Sequence, residues 1–174
     1  MSQFDSTAGT YTVILQQLPA SLAQLQGMPE GQLRKPEHTA ALTVAALCLY
    51  PTDREAALQM LEFLHGPGGL SVYDRQFLAD RFRDKDYVPR SYLAGSTPQN
   101  NYTPSVPYTV TVFENPYSRA NLADGYLTLH IRSGGADSPR QIKLRNKPST
   151  GQWFLWEQFL LSDIRPPVSA DPWA

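Results

Sequence analysis

The sequence is poor in the residues that usually announce a chemistry. Cys48 is its only cysteine, which excludes an intrachain disulfide framework and a CxxC metal knuckle. The three histidines, His38, His65 and His130, show no HxxxH or HExxH spacing, so no metal site is expected. No GxSxG elbow, GxxxxGK[ST] loop or GxGxxG turn occurs, and no catalytic residue or cofactor is expected either. No window approaches the ~18 apolar residues that span a bilayer. The first residues, MSQFDSTAG, lack the basic and apolar regions of a secretory signal. A cytoplasmic protein without membrane association is the resulting expectation. The formal net charge of −1 gives no global pull toward nucleic acid or an anionic membrane.

What is present suits a folded chain. A hydrophobic fraction of 41% with 18% charged residues favours a packed core over disorder. A length of 174 residues fits a single domain, 1–174. Composition divides it into a helical half (1–94), an ordered connection (95–107) and a β-rich half with a C-terminal tail (108–174).

In the helical half, YTVIL (11–15) has strand composition but is too short to separate from a helix start. Ser21 to Gln26 has spacing for one or two helical turns. Pro36 suits the first turn of a helix that is apolar almost all round from Ala40 to Tyr50. Cys48 lies in this run and is expected to be buried and inert. Thr52 and Glu55 have capping-box spacing before a second helix that His65 and Gly66 close. Ser71 and Asp74 repeat the spacing before a third, amphipathic helix, and Arg90 to Leu93 suits one further turn.

The β half contains four strand-like runs: 108–113, 126–131, 141–144 and 153–159. In the stretch RQIKLRNKPSTGQWFLWEQF, Ile142 and Leu144 alternate with Gln141, Lys143 and Arg145, the pattern of a half-buried strand. A turn cluster follows, then an aromatic-rich run in which Trp156 is expected in the core. The fold class is α+β: three to four N-terminal helices packed on one face of a C-terminal antiparallel meander of about four strands. The proline-rich tail is expected to be anchored by Trp173.

The segments TAALTVAALCLYP, LSVYDRQFLADRFRDKDYVPRSYLAGSTPQNNYTPS, SGGADSPR and WFLWEQFLLSDIR, with the closing DPWA, resemble a bacterial family of small uncharacterised proteins carried as a domain of unknown function. The resemblance runs from Pro36 to the C-terminus and implies a self-contained module without naming an activity.

Three groups of residues are candidate sites. Arg132, Arg140, Lys143 and Arg145, with Lys147, form a basic stripe opposed by one acid, Asp137, between 132 and 147. Near tryptophans, such a face binds single-stranded nucleic acid by phosphate contacts and stacking. The same pattern also describes the solvated outer face of a one-sided sheet. Tyr92, Asn100, Asn101, Tyr102 and Tyr117 offer large, adaptable contact area, as recognition surfaces do. Tyrosines that pin an irregular segment to its own domain would look alike. The loop SGGADSP offers glycines for an anion cradle, or simply joins two strands. The leading reading is a non-enzymatic intracellular module that binds another protein through 95–119 or a sheet edge. Nucleic-acid binding through the basic face and a ligand-binding or hydrolytic pocket between helices and sheet are the alternatives.

Overall fold

The computed structural model describes residues 9–173. Four α-helices come from the first half: α1 (Leu22–Gly27), α2 (Pro36–Leu49), α3 (Arg54–His65) and α4 (Val72–Phe82). Five strands form one sheet: β1 (Thr10–Leu15), β2 (Tyr108–Phe113), β3 (Tyr126–Ile131), β4 (Arg140–Lys147) and β5 (Gln152–Gln158). The spatial order is the chain order and every pairing is antiparallel, so the class is α+β with a meander. The sheet has five strands rather than four. TYTVIL is an edge strand whose partner, β2, comes almost a hundred residues later, a pairing that local pattern does not encode.

Alternation along the strands sorts the two faces. Val13, Leu15, Val110, Val112, Leu127, Leu129, Ile131, Ile142, Leu144 and Leu155 are buried on the inner face. There they meet α2, which touches all five strands. That helix is buried over most of its length because it lies between the sheet and the other helices. Its interior hydroxyls are satisfied: Thr39 Oγ1 donates to the Trp153 carbonyl at 2.7 Å, and Thr43 Oγ1 to the Thr39 carbonyl at 2.8 Å.

The helix starts separate two similar-looking signals. Ser71 and Asp74 form the full reciprocal capping box of α4. Thr52 and Glu55 do not form one. Asp53 caps α3 by accepting the Ala56 N–H at 3.1 Å, while Thr52 Oγ1 donates back to the Leu49 carbonyl at the end of α2. A carboxylate one residue further on accepts the orphan amide and also suits the positive helix end, so it displaces the hydroxyl.

Trp156 is the second correction. Arg145 pairs with Phe154 and Leu144 with Leu155, but Lys143 pairs with Glu157. The register shift leaves Trp156 as an extra residue on β5, a β-bulge that turns its indole outward and leaves it 44% exposed. Trp173, expected to anchor the tail, is 92% exposed; Pro167 is the buried residue of that segment.

Candidate functional site

Helices cover the inner face of the sheet, and across β3, β4 and β5 the outer face carries a cluster of rings and cations. Tyr126 and Trp156 meet edge to face at 5.4 Å between centroids. The Arg145 guanidinium lies 4.9 Å from the Trp156 ring and 5.3 Å from Tyr126, and Lys143 Nζ lies 5.2 Å from Tyr126. Further along, Arg132 sits 5.1 Å over Phe113, whose ring also stacks on His130. These cations are held over ring faces by the quadrupole attraction. Among the described residues, none of the four ion pairs involves Arg132, Lys143 or Arg145. Their charges therefore have no carboxylate within ion-pair distance.

Arg140 leaves this set. Its guanidinium donates to the carbonyls of Ser138, Ser162 and Asp163 at 2.9, 2.9 and 2.8 Å, clipping the chain after β5 to the start of β4. The basic stripe is thus divided into three ring-stacked cations, one structural clip and Lys147 at the β4–β5 turn.

At the β4–β5 turn the face runs into a cavity of about 490 Å³. Arg145, Lys147, Asn146 and His65 supply its polar lining, Phe154, Trp156, Pro67 and Pro148 its apolar walls, and no acidic residue lines it. Gly66, the C-cap of α3, stands at φ +61° behind Phe154, and a Cβ there would collide with that ring. Burial lowers the His65 pKa, while Asp74 and a hydrogen bond to the Leu155 backbone act the other way. His65 also lines a neighbouring groove of about 590 Å³ between α4 and β5, walled by Tyr73, Phe77, Trp156 and Phe159.

The tyrosine and asparagine set does not assemble into one surface. Tyr92 and Tyr102 are buried, and their hydroxyls donate to the carbonyls of Leu160 and Arg165. Tyr102 stacks on Tyr87 at 5.5 Å. Burial raises the pKa of both Tyr92 and Tyr102. Asn100 folds its own loop: Oδ1 accepts the N–H groups of Thr97 and Thr103, and Nδ2 donates to the carbonyls of Gly95 and Thr103. Asn101 takes the left-handed backbone (φ 56°) and is exposed. Tyr117, at 80% exposure, projects from the loop after β2.

The remaining candidates have structural explanations. A Cβ at Gly134 would strike the Ser96 carbonyl, and one at Gly135 the Tyr102 hydroxyl, so the glycines of SGGADSP permit close packing of the β3–β4 loop. Among the described residues no group of three or more His, Cys, Asp or Glu side chains could hold a metal ion. Cys48 is only partly covered as a residue, yet desolvation pushes its thiol up to about 12. No described helix is long and apolar enough to cross a membrane.

Pattern alone located Lys143 and Arg145 on the outer face. It included Lys147 in the same stripe but missed Phe154 and Trp156 as their ring neighbours, because the bulge that gathers them has no one-dimensional signature.

Fold and site together define an α+β protein with one helix-covered and one open sheet face. A family model described as Domain of unknown function (DUF6935) matches residues 17–168, and the chain belongs to that family. No curated protein and no solved structure matches it.

Proposed function

We propose that the protein is an interaction module whose open sheet face receives an acidic segment of another protein. The observation that carries this reading is the Tyr126–Lys143–Arg145–Trp156 cluster, cations held over rings with no carboxylate within ion-pair distance, even though Glu157 is the register partner of Lys143. A carboxylate arriving from outside can take a charge-assisted hydrogen bond from Arg145 while its neighbours pack on the exposed indole. The adjoining cavity lacks acids and extends the same complementarity.

Single-stranded nucleic acid is the second reading, favoured by the coexistence of rings and cations on an antiparallel sheet. The charge balance speaks for a protein partner: sequence pI is about 6.3, and three ring-stacked cations offer few phosphate contacts. We propose a bacterial cytoplasmic setting for the interaction, a reading supported by the resemblance of the quoted segments to bacterial proteins and by a lone cysteine that forms no intrachain disulfide.

Fluorescence anisotropy with two labelled probes of equal charge separates the readings. One is a Glu-rich peptide with interspersed Phe, the other an oligothymidylate. The peptide should bind more tightly, with Arg145→Glu lowering its affinity at least tenfold and Arg140→Lys leaving the contact intact in folded protein. Tighter oligothymidylate binding with a steep salt dependence would transfer the face to nucleic acid. Binding of neither probe would remove the proposal.

A further inference from the structure

The cavity at the β4–β5 turn has a chemical counterpart on the same chain. Asp171 and Trp173 lie in the exposed tail, and the Asp171 carboxylate accepts the Trp173 N–H at 2.9 Å. That turn presents an indole beside a carboxylate whose other oxygen has no hydrogen bond in this motif. An indole at 92% exposure is a large apolar surface left in water.

The cavity answers both halves of this motif. Its walls of Phe154, Trp156, Pro67 and Pro148 suit a planar ring, and Arg145 and Lys147 stand at its lining without an acid among them. A volume of about 490 Å³ accommodates an indole together with its flanking backbone. The two features belong to opposite ends of the molecule. The tail leaves from Arg165, whose N–H donates to the Gly135 carbonyl in the β3–β4 loop. The cavity sits at the other end of β4, eight residues and roughly 25 Å away at strand rise. Val168–Ala170 then packs against Pro98–Asn100, which holds the start of the tail at the β3–β4 loop end of the sheet.

We infer that the tail of one molecule, through Asp171 and Trp173, docks into the Arg145–Lys147–Phe154–Trp156 cavity of a second copy. The inference rests on the acid-accepting reading of this face and names one occupant for it. The contact is head to tail, so it joins different surfaces and does not end at a two-fold pair. Copies add into short chains or rings, and an acidic segment of another protein competes with the tail for the same cavity.

Sedimentation velocity of the full chain, from micromolar to millimolar concentration at low salt, tests this. The expected result is an average mass that rises with concentration beyond a dimer and falls when salt is added. Trp173→Ala keeps the cavity but lacks the indole, and Arg145→Glu keeps the tail but lacks the acceptor. Each alone should be monomeric, whereas their mixture should form a one-to-one pair and nothing larger. Both positions are exposed, and matching thermal melts confirm that the variants fold. A chain that is monomeric throughout, an assembly unaffected by Trp173→Ala, or a mixture that fails to pair would overturn the inference. The Glu-rich probe on Trp173→Ala protein separates the two proposals: binding there with no self-association leaves the sheet-face reading standing alone.

Discussion

At the scale of single residues, Trp156 bears most on the function proposed for the chain. A buried tryptophan truncated to alanine costs about 3–5 kcal/mol. Trp156 stands on a bulge, 44% exposed, with Tyr126 and Arg145 against its ring. Trp156→Ala should therefore cost only about 1 kcal/mol in denaturant unfolding, the size of an exposed aromatic contact, while weakening the Glu-rich probe at least tenfold. A loss of several kcal/mol would return the indole to the core. The aromatic run of β5 was legible as a strand from its composition, but not the direction of each ring. One extra residue reverses every later side chain on a period of two. The tyrosines of 92–117 carry the same lesson. Tyr102 and Tyr117 occur in similar polar company, yet one is wholly buried and the other 80% exposed. Composition does not distinguish a ring that pins a loop from one that offers a surface.

At the scale of elements, helix starts were half readable. Ser71 with Asp74 and Thr52 with Glu55 have equivalent spacing, and only the first pair forms the reciprocal bonds. The difference is Asp53, a stronger acceptor one position later. Asp53→Ala should destabilise the protein by about 0.5–2 kcal/mol, and Glu55→Ala by a few tenths at most, measured by urea unfolding. Equal losses from the two would contradict the assignment of the cap. Strands β2 to β5 were legible because each alternates locally. β1 was not, because its partner arrives only after four helices and a long connection. The helix-covered face follows from the same geometry: the helices precede β2 in the chain, α2 crosses all five strands, and α3 packs on α2 and β5.

At the scale of the whole molecule, the histidines set a pH response. Burial lowers the pKa of His38, His65 and His130, in each case as the largest influence. As pH falls through about 6.5, the unfolded chain takes up protons that the folded chain resists, so folding stability declines on acidification. The melting temperature should hold near neutral pH and drop between about pH 6.5 and 5, with His65→Gln flattening the drop. A melting temperature that rises over that interval would contradict the neutral, desolvated histidines. The molecule as a whole carries a formal net charge of −1, which gives no global electrostatic pull toward a polyanion. The recognition proposed for this protein depends on the local arrangement over β3, β4 and β5, where cations lie over rings with no carboxylate within ion-pair distance.

The most direct test of that arrangement is a heteronuclear NMR titration of the ¹⁵N-labelled chain with the Glu-rich, Phe-containing probe. The predicted result is a saturable set of shifts confined to Tyr126, Thr128, Lys143, Arg145, Lys147 and the Trp156 indole N–H, abolished by Arg145→Glu. Shifts centred on Asn101 and Tyr117, or around Arg83 at the end of α4, would contradict the account.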